Sequence, residues 1–230
     1  MAEIGSVLVT GGASGLGAAV VDAVLEAGGK PLVLDRQEPV SGVEAELVDL
    51  ADTRAAEDAV RRIAERAGGL DAVVTAAGMD RCGTLAEVPG ADWDRVVMVN
   101  LLGTAAVVRA ALPYLVRSAY PGKVVTVAST LGIKAVSDAT AYCASKFGVV
   151  GFTRALAAEL RGSIGVTLLI PGGMSTAFFD DRAEQYKPPP DAKLNRPADV
   201  AAAVLFALRQ PPGCEVKELV ITASTEGSWP

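Results

Sequence analysis

The chain has 230 residues and a formal net charge of −6, which fits one large domain better than two. Lys and Arg are scattered and histidine is absent, so a basic nucleic-acid-binding face, a histidine-based triad and most zinc sites are excluded. Three widely separated cysteines, Cys82, Cys143 and Cys214, indicate a reducing compartment and argue against a disulfide framework.

The first strand has no basic leader before it, and no apolar run is expected to reach membrane-spanning length. We therefore expect a cytoplasmic protein that binds no metal, no membrane and no nucleic acid.

Short apolar segments, rich in β-branched residues, alternate with helical patterns along the chain. Segments that are apolar on both faces are typical of buried parallel strands, predicted at residues 6–10, 31–35, 45–49, 72–76, 123–129, 166–170 and 218–222. Helices are predicted between them at residues 15–27, 53–67, 91–117, 141–160 and 197–209. This alternation predicts an α/β fold, a single doubly wound domain over residues 1–230 with a seven-stranded, mainly parallel sheet flanked by helices.

A glycine-rich turn joins the first strand to the first helix. Gly11, Gly15 and Gly17 form a Gly-x-x-x-Gly-x-Gly pattern directly after Thr10. Glycines allow a tight turn and let a pyrophosphate approach backbone N–H groups, and the helix N-terminus favours its negative charge. A glycine cluster alone is weak evidence, but its place between strand and helix predicts a dinucleotide site.

An acidic residue, Asp35, ends the predicted second strand. A carboxylate there can accept hydrogen bonds from a ribose diol and repel a 2′-phosphate, which favours NAD over NADP. The alternative is a polar residue that merely ends a strand. Arg36 follows and could meet a phosphate, whereas Ser14 in the glycine turn is not basic.

A tyrosine and a lysine, Tyr142 and Lys146, lie four residues apart in the predicted fourth helix, so they share one face. An ammonium beside a phenol favours the phenolate and lowers its pKa. Since a free phenol titrates near 10, ionisation near neutral pH needs roughly 4 kcal/mol of stabilisation. Such a tyrosine is a usable acid or base, although the two residue types also meet by chance.

Taken together, these features resemble the classical short-chain dehydrogenase/reductase (SDR) family over nearly the whole chain. Asn100 in Val-Asn-Leu-Leu-Gly, and Ser129, 13 residues before Tyr142, match the family's active-site asparagine and serine. The resemblance implies a Rossmann-type NAD(P)-binding domain in which Asp49 meets the adenine and the Pro171-Gly172-x-x-x-Thr176 segment holds the nicotinamide amide. The implied cofactor contacts are Gly11, Ser14, Gly15, Leu16, Gly17, Asp35, Asp49, Leu50, Ala76, Ala77, Gly78, Tyr142, Lys146, Pro171, Gly172, Met174 and Thr176.

The resemblance also implies a mechanism of reversible hydride transfer between a nicotinamide and a secondary alcohol or ketone. Tyr142 would exchange the hydroxyl proton, Lys146 would lower the tyrosine pKa and hold the ribose, and Ser129 would bind the substrate oxygen. Asn100 would anchor a water that links Lys146 to solvent. Plainer alternatives exist for four residues: Ser129 ends a strand, Asn100 braces a helix bend, Asp49 is the N-side partner of the helix at Thr53, and Thr176 is only a loop residue.

Two regions depart from the family pattern. Thr75 and Ala76 replace the usual asparagines after the fourth strand, so the bracing of the sheet is expected to differ. Residues 223–230 replace the usual Gly-Gly, which puts the usual oligomer geometry in doubt. Residues 172–195 are predicted to form the substrate-binding loop, with a short helix near 178–185.

The substrate is expected to be a mainly apolar alcohol or ketone. Candidate pocket residues are all apolar, although Lys134 and Arg182 are near in sequence: Leu131, Val136, Met174, Phe178 and Phe179. A homodimer or homotetramer is expected because the long helices carry surplus apolar residues, unless these cover the sheet: Val149, Val150, Phe152 and Leu156.

Two rival functions remain open. A non-catalytic NAD(H)-binding sensor or interaction module would keep the cofactor site, but it would have no use for a phenolate. An epimerase or dehydratase would keep its nicotinamide bound, but such relatives are usually longer.

Overall fold

A computed structural model describes residues 4–39, 42–116 and 122–227. Within them, seven strands form one sheet in the order β3-β2-β1-β4-β5-β6-β7, and every pairing is parallel. The predicted doubly wound α/β fold is therefore confirmed, with a sheet that is wholly rather than mainly parallel. The strands are β1 (Ser6–Thr10), β2 (Lys30–Asp35), β3 (Glu44–Leu47), β4 (Ala72–Thr75), β5 (Lys123–Val127), β6 (Gly165–Pro171) and β7 (Glu218–Ile221).

The helices agree with the sequence pattern except in the middle of the chain. They are α1 (Gly15–Glu26), α2 (Thr53–Ala67), α3 (Gly90–Val97), α4 (Thr104–Leu115), α5 (Thr140–Glu159) and α6 (Pro197–Leu208). The single helix predicted at 91–117 is instead α3 and α4 joined by a π-helical turn, Met98–Gly103, and its last residue, 117, lies outside the described part of the chain. The short helix predicted near 178–185 is two separate 3-10 turns, Ala177–Phe179 and Glu184–Tyr186.

Alternating side chains on the strands divide the core into two layers. Val7 and Val9 of β1 pack with α1 and α6 on one face of the sheet, whereas Leu8 packs with α2 and α4 on the other. This alternation follows from the period of two along a strand. The strand order reverses between β1 and β4, so a crevice opens at their carboxyl ends, the usual ligand position in such sheets.

The continuous helical stretch Gly90–Leu115 is long and apolar enough, by length and composition alone, to cross a membrane. The expectation that no apolar run reaches that length is thus wrong. Half of its most apolar part is buried inside the protein, and Val96, Ala106 and Val107 are fully enclosed. A core helix passes the same test, so the stretch is weak evidence for a membrane span.

Candidate active site

The glycine turn after β1 leaves no room for larger side chains at several of its positions. Gly11 and Gly15 adopt positive φ angles of 73° and 54°, which favour glycine. A Cβ on Gly17 would lie 2.1 Å from the carbonyl oxygen of Gly11. Ser14 stands at the N-cap of α1 without a capping hydrogen bond from its side chain, and the first helical turn has no acidic residue. This backbone cradle at a helix N-terminus fits a dinucleotide pyrophosphate.

Asp35 lies at the end of β2 and holds the glycine turn. Its Oδ2 accepts a hydrogen bond from Ala13 N at 2.9 Å, and its Oδ1 accepts one from Gln37 N at 3.0 Å. The carboxylate therefore lies beside the cradle, where a ribose diol attached to the pyrophosphate can reach it.

Asp49 follows β3 and forms an ion pair with Arg95 of α3. Burial alone would raise the pKa of Asp49, but hydrogen bonds from Arg95 and Ala51 N lower it overall. The N-cap of α2 is Asp52, whose side chain accepts from Ala55 N, so capping that helix is not the role of Asp49. The adjacent Leu50 is buried, and the adenine contacts of both residues stay predictions.

Tyr142 and Lys146 share a face of α5, as predicted, with Lys146 Nζ 5.6 Å from the centre of the tyrosine ring. Lys146 is buried, and its Nζ donates to Val127 O at 2.9 Å. Burial raises the pKa of Tyr142 to about 12, although a hydrogen bond with Ser129 opposes the rise. Burial lowers the pKa of Lys146 to about 8. The lowered tyrosine pKa expected from the sequence is therefore wrong for this state, because the ammonium binds a backbone carbonyl and burial dominates.

Ser129 lies two residues beyond β5 and caps the 3-10 turn Thr130–Gly132. Its Oγ accepts from Leu131 N at 3.1 Å, and the hydroxyl is close enough to Tyr142 to lower the pKa of that phenol by hydrogen bonding. The serine therefore points at the phenol, which a residue that merely ended a strand would not need to do.

Asn100 lies in the π-helical turn and acts as a brace. Its Oδ1 accepts from Met79 N at 2.9 Å, and its Nδ2 donates to Met79 O at 2.9 Å and to Ser145 Oγ at 3.0 Å. The bracing alternative is thus what its amide does here, and the water-anchoring role stays a prediction. A Cβ on Gly78 would lie 3.5 Å from Asn100 Oδ1 and 3.6 Å from Lys146 Nζ, so both side chains converge on Gly78.

The segment after β4 is braced without the family's asparagines. Thr75 Oγ1 is buried with no hydrogen-bond partner among the described residues. Thr10 Oγ1 instead accepts from Ala77 N at 3.1 Å, which holds residues 76–78 beside the glycine turn. Ala76 and Ala77 are partly buried at this point of the crevice.

The segment after β6 lies against the glycine turn. Thr176 caps the turn Ala177–Phe179, with Oγ1 accepting from Phe178 N at 3.3 Å, and its methyl carbon would lie 3.5 Å from a Cβ on Gly15. Pro171 ends β6, Gly172 is buried, and Met174 bridges to Asn195 in a parallel pair. Thr176 therefore lies beside the glycine turn, and the nicotinamide contacts of the whole segment stay predictions.

Sequence reasoning missed a residue near the C-terminus. Glu226 Oε2 accepts from Gly173 N at 3.1 Å, and Lys134 Nζ donates to Gly227 O at 2.9 Å. The final described residues thus cross the segment after β6. The remaining residues of the predicted atypical end, 228–230, lie outside the described part.

The pocket around Tyr142 is less apolar than the sequence indicated. The Phe178 ring lies 5.8 Å from the Tyr142 ring, as an apolar wall would. However, Arg182 forms an ion pair with Asp80, and the Tyr186 hydroxyl donates a hydrogen bond to Asp138 Oδ2 at 3.4 Å. Asp80 and Asp138 were not identified from the sequence, because neither falls in a recognisable motif.

Among the described residues, no group of three or more Cys, Asp or Glu side chains is placed to hold a metal ion.

The chain matches a family model described as short chain dehydrogenase over residues 5–187. The L-fucose dehydrogenase of Mus musculus is 32% identical in an alignment of 241 residues, gaps included. The alignment covers 96% of this chain and 88% of the mouse protein. The ligand-free aldohexose dehydrogenase of Thermoplasma acidophilum superimposes with a TM-score of 0.84 at 22% identity, covering 96% of this chain and 93% of that one. A short-chain dehydrogenase of Burkholderia cenocepacia in complex with NADP gives 0.81 at 27% identity, covering 94% and 95%.

Proposed function

This chain belongs to the short-chain dehydrogenase family, and we propose that it is an NAD(H)-dependent oxidoreductase acting on a secondary alcohol or ketone. The observation that carries the proposal is the meeting of Ser129, Tyr142 and Lys146 beside the glycine cradle. A bound nicotinamide dinucleotide supplies the hydride donor or acceptor.

The protein's own contribution is proton transfer at Tyr142 Oη. With a pKa of about 12, Tyr142 is protonated at neutral pH, so this arrangement directly supports proton donation to a carbonyl oxygen. Ser129 Oγ lies within hydrogen-bond reach of the same phenol and can bind the substrate oxygen as its charge develops. For alcohol oxidation the phenolate is needed, and a shift of the Lys146 ammonium from Val127 O towards Tyr142 would favour it.

NAD is proposed as the preferred dinucleotide because of the carboxylate of Asp35 beside the cradle. That carboxylate would repel a 2′-phosphate, and the exposed Arg36 is the nearest opposing feature in sequence. The Burkholderia dehydrogenase was solved in complex with NADP, so NADP is the competing cofactor that the test must include.

The test compares wild-type protein with Tyr142→Phe in steady-state reduction of ketones, using NADH and NADPH. The phenylalanine variant keeps the ring but loses the proton, so kcat should fall by about 10²- to 10⁴-fold. Its dissociation constant for NADH should stay within about twofold of wild type, because the cradle is unchanged. Tyr114→Phe, the same chemical change on α4, is the matched control.

An active Tyr142→Phe protein would contradict the proton-transfer role, and a higher kcat/KM with NADPH would contradict the assignment of Asp35. Binding of NADH with no turnover of any carbonyl compound would favour the sensor function instead. The mouse relative is named as a dehydrogenase, which supports the enzymatic function.

We also propose a cytoplasmic homodimer or homotetramer. Val149, Val150 and Leu156 are buried under the chain's own fold, so the alternative that they cover the sheet is correct for them. Other large apolar side chains on this side are exposed, namely Leu102 at 43% and Phe147 at 45%.

The three free cysteines support a reducing compartment.

A further inference from the structure

An ion pair lies next to Phe178, the residue whose ring packs against that of Tyr142. Arg182, on the loop after β6, donates from Nη2 to Asp80 Oδ2 at 2.8 Å. The Asp80 side chain is only 4% exposed and that of Arg182 is 18% exposed. Removing two charges from water costs about as much as their attraction returns, so stability alone does not account for a pair at this place.

The pair lies close to the phenol. The Arg182 guanidinium lies 5.1 Å from the centre of the Phe178 ring, which in turn lies 5.8 Å from that of Tyr142. The charges of Asp80 and Arg182 act in opposite directions on the pKa of Tyr142. Asp80 also directly follows Met79, which Asn100 clamps at both its N–H and its carbonyl.

The pair has unused hydrogen-bonding capacity. Arg182 Nε is buried and has no partner among the described residues, and Arg182 Nη1 makes only a long 3.4 Å contact with Tyr186 O. Asp80 Oδ1 accepts from Arg81 N at 2.7 Å and retains a second lone pair. The same ion pair thus holds an unmet donor and a spare acceptor, and a hydroxyl group can accept from the one and donate to the other through one oxygen.

From this juxtaposition we propose that Asp80 and Arg182 are specificity-determining residues that select polyhydroxylated substrates, sugars or polyols, by binding a hydroxyl next to the reacting carbon. The inference rests on the proposed oxidoreductase function. On oxidation, the reacting carbon would give hydride to the oxidised nicotinamide, and its hydroxyl would give a proton to the phenolate form of Tyr142. The neighbouring hydroxyl donates to Asp80, accepts from Arg182, and is chemically unchanged.

Other substrate classes fit the pair less well. An apolar alcohol would leave Arg182 Nε unpaired, as it is in the ligand-free protein, so it would gain no hydrogen bond from the pair. A substrate carboxylate would attract Arg182 but would face the like charge of Asp80, which already accepts from Arg182 and from Cys82 Sγ. The mainly apolar substrate expected from the sequence is therefore replaced by a polar, uncharged one.

The first experiment measures kcat/KM of the wild-type protein with NAD on three kinds of alcohol: aldohexoses and hexitols, cyclohexanol, and 2-hydroxyhexanoate. A site built for hydroxyl recognition should favour the best polyhydroxylated compound over cyclohexanol by about 100-fold or more. Equal or better turnover of cyclohexanol or of the hydroxy acid would overturn the inference while leaving the oxidoreductase function standing. Absence of turnover with every compound would overturn both.

The second experiment repeats the panel with Asp80→Asn and Arg182→Gln. Each should lower kcat/KM for the polyhydroxylated substrate by about 10- to 100-fold more than for cyclohexanol, because any change in the pKa of Tyr142 affects both substrates alike. Arg62→Gln, which breaks a surface ion pair with Glu46 far from the site, is the matched control. Equal losses on both substrates would mean that the pair only holds the loop in place and would overturn the inference. If either variant fails to fold, the wild-type panel decides.

Discussion

Lys146 shows how one buried side chain changes the chemistry expected from a motif. The lysine is only 4% exposed, and it donates to a main-chain carbonyl rather than to the phenol one helical turn away. Burial lowers its pKa to about 8 and raises that of Tyr142 to about 12. The helical spacing correctly placed both residues on one face, but neither the direction of the ammonium nor the depth of burial is visible in the spacing.

The buried lysine gives a pH-dependent prediction for stability. Below pH 8 the lysine is protonated in both the folded and the unfolded state, so the folded state carries the full cost of a buried charge. As the pH rises above 8 the folded protein releases this proton before the unfolded chain does, so that cost is relieved. Lys146→Met should therefore raise Tm relative to wild type by more at about pH 7 than at about pH 9.5.

Thermal melts at both pH values test this. The rise in Tm caused by Lys146→Met should be a few degrees larger at the lower pH, which corresponds to roughly 1–2 kcal/mol of stability. Lys193→Met, at an exposed lysine, should show no such dependence. A Lys146→Met effect that is the same at both pH values would refute the buried charge.

At the scale of elements, the glycine turn and the π-helical turn position the site. The turn between β1 and α1 requires glycine, because a Cβ on Gly17 would collide with the carbonyl oxygen of Gly11. The π-helical turn between α3 and α4 places Asn100 where its amide can clamp Met79. The first feature is readable from its glycine spacing, whereas the second interrupts an apolar pattern that reads as one continuous helix.

Two glycine substitutions separate a contact requirement from a general helix effect. Gly17→Ala would place a Cβ against backbone that cannot move aside, so unfolding free energy should fall by about 3 kcal/mol or more and NADH binding should be lost. Gly151→Ala, in α5 with nothing within 4 Å of the added Cβ, should instead stabilise by about 0.5–1 kcal/mol. Urea unfolding and NADH titration measure both, and a Gly17→Ala protein with wild-type values would disprove the contact argument.

At the scale of the whole molecule, apolar surface remains beside the active-site helix. Phe147 follows Lys146 on α5, and Leu102 lies in the π-helical turn that packs against that helix. Neighbouring exposed apolar side chains mark an interface more often than apolar residues that are scattered singly over the surface.

We expect sedimentation velocity to show a dimer or a tetramer for the wild-type protein. Phe147→Asp should shift it towards monomer, because the new carboxylate would lose its water in the interface. Leu25→Asp, at a similarly exposed residue on α1, should leave the oligomeric state unchanged. A wild-type monomer at micromolar concentration would rule out the assembly.

The sequence by itself determined the sheet and the order of the motifs along it. Apolar periodicity is local, so β1, α1 and α2 are readable from neighbouring residues, and the motif residues then fall at strand ends. The tertiary structure alone decided the character of the pocket. Asp80 and Arg182 are 102 residues apart, and Glu226 reaches Gly173 across 53 residues. No local pattern encodes such contacts, because they depend on how separate loops pack together.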